Sequence, residues 1–418
     1  MRSHENQPQP TRRDALQMVA AAFGLTALGP LERAVAAESR PTRARRGTKF
    51  LVMVELEGGN DWLNTVVPHT LPSYASQRPG LALDPSETLG LDSGPYATSD
   101  FRMHPNLVDL AQMYRDGEVA IVRKVGYPGP NKSHDKSKKI WAQGAREVAN
   151  TSGWIARYAE LEAPTALGAV SVGVGRHRAF VGGSSNPLAL GSLARFRYDE
   201  DARYRNNHRH RVAIIKDLLE QRASGATRDV MLTGHTLASQ IQGALSGYSS
   251  PVTYRAGALS VRLLDVARMV QAGFETRVYY TRLKGFDTHG AQAARHATLL
   301  QALDEGIKDL ADDLKQMGVW NDAAIVMMSE FGRRNFSNGS GGTDHGEAGM
   351  MMVAGGTVAG GLHGPVMVDA DVAARNLAYG MDFRAVYADL VENHLGMADA
   401  SPVFAEALEI PTRPNLVL

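Results

Sequence analysis

Phe50-Leu51-Val52-Met53-Val54-Glu55-Leu56 runs directly into Glu57-Gly58-Gly59-Asn60-Asp61. A short, mainly apolar run closed by a polar glycine turn reads as a buried β-strand with functional side chains available at its carboxyl end. The same unit recurs along the chain. Val119-Ala120-Ile121-Val122 leads through the loop Tyr127 to Ser133 into an expected helix from His134 to Trp141, and Arg277-Val278-Tyr279-Tyr280-Thr281 leads to Phe286-Asp287-Thr288-His289-Gly290. Leu300, Leu303, Ile307, Leu310, Leu314 and Met317 then repeat at helical spacing, before Ala323-Ala324-Ile325-Val326-Met327-Met328 delivers Ser329-Glu330-Phe331-Gly332. Strands alternating with helices predict an α/β fold, a mostly parallel sheet sandwiched between helices, with ligands beyond the carboxyl ends of the strands.

Composition agrees with a large folded core. The 418 residues carry 45 Lys and Arg against 44 Asp and Glu, are 44% hydrophobic and contain no Cys. This excludes a disulfide scaffold and any Cys-ligated metal. Without a strong net charge, nucleic-acid binding has no support beyond local patches.

Thr11-Arg12-Arg13-Asp14 precedes an apolar run from Met18 to Leu31 and the small residues Ala34 to Ala37. The run is too short for a spanning helix and contains Gly24, Gly29 and Pro30, so residues 1–37 are expected to be a signal peptide of twin-arginine type. The expectations that follow are passage through the twin-arginine translocase, a periplasmic or extracellular location and no permanent membrane span. Residues 38–48 read as a polar linker, and 49–418 as one domain with an irregular insertion around 145–260. Within that insertion Val212–Leu219 and Leu259–Val270 look helical, and Arg195 to Arg211 forms a dense Arg/His segment, more consistent with a solvated ion-paired face than with an anion site.

Asp61, Asp287, His289, Glu330, Asp344 and His345 are distant in sequence, yet each falls at an expected strand end or in a glycine turn. Carboxylates and imidazoles without thiols suit Zn, Mn, Mg or Ca, one or two ions in number. Individually the fragments are weak: an Asp-x-His after a strand also describes a capped turn, and Glu330 has Arg333 and Arg334 close by as partners. Ser133 is either a helix N-cap or an oxygen nucleophile at a helix N-terminus, and His134 is either its helper or a solvent-facing first-turn residue. Gly339-Ser340-Gly341-Gly342-Thr343-Asp344-His345-Gly346 is dense enough in glycine that its backbone must closely approach a ligand or another strand. His104 reads as structural, and His363 as a loop residue or a late ligand.

Taken in order, Gly58-Gly59-Asn60-Asp61-Trp62-Leu63-Asn64, Ser133-His134 with Trp141, Phe286-Asp287-Thr288-His289-Gly290, Ser329-Glu330-Phe331-Gly332-Arg333 and Gly342-Thr343-Asp344-His345-Gly346 resemble the domain-of-unknown-function 1501 family. The resemblance covers nearly the whole chain after the signal. It implies an alkaline-phosphatase-like fold and a metal-dependent hydrolase of phosphate or sulfate esters, acting on a small anionic ester or a sulfated or phosphorylated glycan. Site residues carried across are Asp287, His289 and His345 for one metal, Asp61 or Glu57 for another, and Ser133 as nucleophile with His134 assisting. Glu330 replaces an Asp of the superfamily, whereas Phe331 stands where a His would ligate. The competing expectation is a catalytically silent periplasmic binding or envelope protein that retains the fold.

Overall fold

A computed structural model describes residues 47–149, 151–182, 187–191, 247–405 and 413–418, together with 193, 237 and 241–243. The expected signal segment lies outside the described residues, as do the Arg195 to Arg211 segment and the Val212–Leu219 helix.

Among the described residues, β1 (Phe50–Glu57) occupies the middle of a nine-stranded sheet. Its alternation explains why. Phe50, Val52, Val54 and Leu56 enter the hydrophobic cluster on one face, while Leu51 and Met53 enter the cluster on the other. A strand buried on both faces must be covered on both, as its unbroken apolar run requires.

Three short strands, β2 (Val66–Val67), β3 (Leu89–Leu91) and β4 (Thr98–Met103), form a separate antiparallel sheet. The large sheet takes the rest: β5 (Val119–Gly126), β6 (Ala169–Val172), β7 (Leu188–Leu190), β8 (Val278–Lys284), β9 (Ala323–Met328), β10 (Gly349–Ala354), β11 (Gly361–His363) and β12 (Met381–Asp382). Its order is β11-β5-β10-β9-β1-β8-β6-β7, with β12 also on β5. β1 is parallel to both β8 and β9, and β10 alone is antiparallel to its neighbours. The mostly parallel sheet expected from the alternating pattern is therefore present. Because β10 runs backwards, its amino end lies at the same edge as the carboxyl ends of β1, β8 and β9.

The helices that matter for the site are α1 (His134–Gln143) and α2 (Gln292–Met317). α2 buries the periodic face that includes Leu300, Leu303, Ile307, Leu310 and Leu314. The helix Ala258–Gln271 falls where helical periodicity placed it and packs against α2. Within the described part of 145–260, β6 and β7 build the outer edge of the main sheet. Strands of four and three residues are too short for their alternation to emerge from the surrounding Gly, Ser and Pro.

Candidate metal centre

The close approach of three turns creates the site. Gly58, with φ +124°, lets the end of β1 run against the Phe286–Asp287 backbone, where a Cβ would stand 2.3 Å from Asp287 N. Gly342 approaches the next residues of that turn, and a Cβ there would lie 2.4 Å from the carbonyl carbon of His289. The glycine-dense loop therefore meets protein backbone, that of a turn rather than of a strand.

The carboxylate of Asp287 is the focus. Its Oδ1 lies 3.0 Å from His289 Nε2 and 3.1 Å from His345 Nε2, and its Oδ2 lies 3.4 Å from His134 Nε2. The guanidinium of buried Arg333 donates to the same Oδ1 at 2.6 Å. Burial alone would raise the Asp287 carboxyl, but hydrogen bonds from Arg333 and His345, with the charges of Arg333 and His134, hold it well below the usual carboxylate range.

Each imidazole has its other nitrogen fixed by an oxygen acceptor. His345 Nδ1 faces the Lys132 carbonyl at 2.8 Å, His134 Nδ1 faces Glu330 Oε1 at 2.8 Å, and His289 Nδ1 faces Asp344 Oδ1 at 3.2 Å. An oxygen acceptor favours the proton on Nδ1, so a neutral ring can offer its Nε2 lone pair to a metal, whereas a ring that also carries a proton on Nε2 donates it to Asp287. His289 Nε2 and His345 Nε2 are 2.9 Å apart, and burial, its largest influence, depresses the His345 pKa and favours the neutral form. His134 Nε2 is buried with no hydrogen-bond partner. Imidazoles converging on a carboxylate, each ring steered from behind by an oxygen, have the donor chemistry that could hold a divalent metal with an outer shell of hydrogen bonds. His134, Asp287 and His345 offer ligand atoms all within 4.8 Å of one another, and His289 adds its Nε2 beside Oδ1.

Glu330 and Asp344, expected as ligands, direct their carboxylates to the Nδ1 atoms of His134 and His289. Glu330 is buried and accepts from the N–H groups of Gly58 at 3.0 Å and Gly59 at 3.2 Å, and from Ser329 Oγ. Burial raises its pKa, but the His134 hydrogen bond, the Lys138 charge and the Gly58 N–H outweigh it and hold the carboxyl below its ordinary value. Neither neighbouring arginine pairs with Glu330: Arg333 takes Asp287 and Arg334 takes Asp344. Asp61 is buried and accepts hydrogen bonds from Arg78 and Gln292 instead of facing the three imidazoles. His104 accepts from the Asn106 N–H, and His363 faces the carbonyls of Ala359 and Pro414, so both are local structural residues.

Ser133 is exposed at the N-cap of α1, and its hydroxyl makes no capping hydrogen bond. It sits between Lys132, whose carbonyl orients His345, and His134, whose ring joins the cluster. Two further residues were missed by sequence reasoning. Arg333 clamps the turns together through Gly58, Gly59, Phe286 and Thr343 carbonyls, and Lys138 reaches Glu57 at 2.6 Å. Phe331 packs against the rings of His134 and His345, with centroids 4.9 and 4.8 Å away.

The lipoteichoic acid synthase LtaP from Listeria monocytogenes aligns with 93% of this chain and 80% of its own, at 10% identity and a TM-score of 0.30. A protein in the alkaline phosphatase superfamily from Vibrio parahaemolyticus aligns with 86% of this chain and 72% of its own, at 11% identity and a TM-score of 0.34. Murine ectonucleotide pyrophosphatase/phosphodiesterase 5 aligns with 68% of this chain and 57% of its own, at 10% identity and a TM-score of 0.30. No curated protein sequence matches the chain. The family whose model matches, over residues 220–396, is Protein of unknown function (DUF1501).

Proposed function

We propose that this chain is an exported, divalent-metal-dependent hydrolase of phosphate or sulfate esters. The observation that supports it most is the convergence of the His134, His289 and His345 Nε2 atoms on Asp287, each ring braced at Nδ1. These four residues would hold the metal, with Zn and Mn best suited to a donor set this rich in imidazole. Such an ion supplies Lewis acidity toward an oxygen of the ester.

The chain's own residues provide the remainder. Ser133 offers an uncommitted hydroxyl at the start of a ten-residue helix, where backbone N–H groups favour an anion. The substrate would be an anionic ester, whether small or part of a glycan, while Lys132, Lys138 and Arg282 at the same edge are paired with Glu347 and Glu57. Glu330 and Asp344 keep the imidazole tautomers fixed.

The rival reading, a silent binding protein of the same fold, draws on Phe331, whose apolar ring covers one side of His134 and His345. Elemental analysis together with turnover of nitrophenyl phosphate, bis-nitrophenyl phosphate and nitrophenyl sulfate separates the two. A hydrolase carries stoichiometric metal, loses it in Asp287→Ala and loses turnover, but not fold, in Ser133→Ala. Turnover insensitive to Ser133→Ala would remove that residue from the mechanism, and absence of metal would sink the hydrolase reading.

Export through the twin-arginine translocase to the periplasm rests on Arg12-Arg13 and the following apolar run. Among the described residues no helix is long and apolar enough to cross a membrane. Replacing both arginines by lysine should retain the unprocessed chain inside the cell, and continued processing would refute the route.

A further inference from the structure

Glu57 and Glu330 stand at the ends of the neighbouring strands β1 and β9, and a lysine lies between them. Lys138 Nζ is 2.6 Å from Glu57 Oε1 and 4.0 Å from Glu330 Oε1. Lys138 and His134 are one turn apart on α1, and so share a face. His134 Nδ1 approaches the same Glu330 oxygen, at 2.8 Å. Arg282 completes the pairing of Glu57 from the other side, at 3.1 Å.

Two carboxylates at adjacent strand ends, one of them buried, require a cation if both are to stay ionised. Here the fold provides it covalently. Although burial works against it, the hydrogen bond and charge of Lys138 hold the Glu57 carboxyl below its ordinary value. The imidazole lone pairs, by contrast, all face the Asp287 side. No lone pair of His134 is left for the Glu57 side, because its Nδ1 is committed to Glu330, and Phe331 adds an apolar ring there.

We propose that Lys138 Nζ is a permanent internal cation filling the Glu57–Glu330 position, and that it limits the centre to a single divalent ion per chain. An ammonium group and a divalent ion sharing one carboxylate repel each other, so a second ion would have to expel the lysine from its two partners. This inference rests on the metal-centre reading above, from which its failure is distinguishable.

The test is metal stoichiometry by elemental analysis and calorimetric titration with Zn(II) and Mn(II). The full chain would be compared with Lys138→Met, Lys138→Met/Glu57→Gln and Asp287→Ala, with circular dichroism confirming that each is folded. The expected result is one ion for the unmodified chain, two for Lys138→Met, one again for the double variant and none for Asp287→Ala. Two ions in the unmodified chain would overturn the inference without touching the metal centre, and this count needs no variant to fold. A folded Lys138→Met that still takes one ion would also overturn it. No ion in the unmodified chain would overturn the metal centre itself and the inference with it.

Discussion

His289 Nε2 and His345 Nε2 face each other across 2.9 Å, with a carboxylate oxygen of Asp287 about as close to both. With each Nδ1 turned to an oxygen acceptor, the neutral rings would present both Nε2 lone pairs to one shared cation, whose affinity the outer oxygens that set the tautomers would control. Asp344→Ala releases His289 Nδ1 and should weaken metal binding about 10- to 100-fold while leaving the sheet intact. Competition against a chelator of known strength measures this, and unchanged affinity would mean that His289 is not a ligand.

Glu330 is surrounded by donors only: the Gly58 and Gly59 N–H groups, Ser329 Oγ and His134 Nδ1. An ionised carboxylate accepts from all of them, whereas an amide cannot. In Glu330→Gln, the new N–H groups either oppose a backbone donor or force His134 onto its other tautomer, which puts a proton on Nε2 and removes that lone pair. The expected loss is about 1–3 kcal/mol of stability, together with weaker metal binding. Because the Glu330 carboxyl is depressed in the fold, its contribution is present above the unfolded carboxylate range and is lost as pH falls through the folded value. Denaturation curves at pH 7 and pH 3 should therefore differ less for the variant than for the unmodified chain; an equal difference would place Glu330 outside the acid response.

Much of this was legible in the chain, and the limits are physical. The β1 alternation and the α2 periodicity report burial directly, because packing against a sheet imposes both periods. Glycine density between 339 and 346 announced a close approach, but only the fold identifies the partner as the Thr288–His289 backbone. Lys138 was hidden among Lys136 and Lys139, where a cation on a helix surface looks the same in sequence whether it faces water or Glu57. Asp61 looked like a ligand because nothing local pairs with it, and its partner Arg78 lies 17 residues away.

The glycine approach has its own consequence. A Cβ on Gly342 would lie 2.4 Å from His289 C and 2.5 Å from Thr288 O, and these are backbone atoms that cannot swing aside. Gly342→Ala should push the loop bearing Asp344 and His345 away from the turn bearing Asp287 and His289. The sheet beneath does not depend on that contact. Metal content should fall to a small fraction of normal while the far-ultraviolet dichroism remains native, and full occupancy in the variant would show that the two turns need not touch.

Glu55 responds to pH in the opposite direction to Glu330. It is 3% exposed on β1, with His177 Nε2 3.6 Å from its Oε2, too far for a hydrogen bond. Burial, followed by the charges of Glu330 and Glu57, pushes its carboxyl up to about 7, while burial lowers His177 to about 3 and keeps that ring neutral. Between about pH 4.5 and 7 the folded chain holds a proton that the unfolded chain has released, so this group makes stability fall as pH rises across that window and level off above it. The cost at pH 8 is on the order of 3 kcal/mol. Glu55→Gln keeps the volume and removes the ionisation, so urea midpoints measured from pH 5 to pH 8 should decline less, and the variant should be the more stable protein at the alkaline end. Parallel pH profiles for the two chains would show that Glu55 ionises in its ordinary range and that its neighbours stabilise the charge.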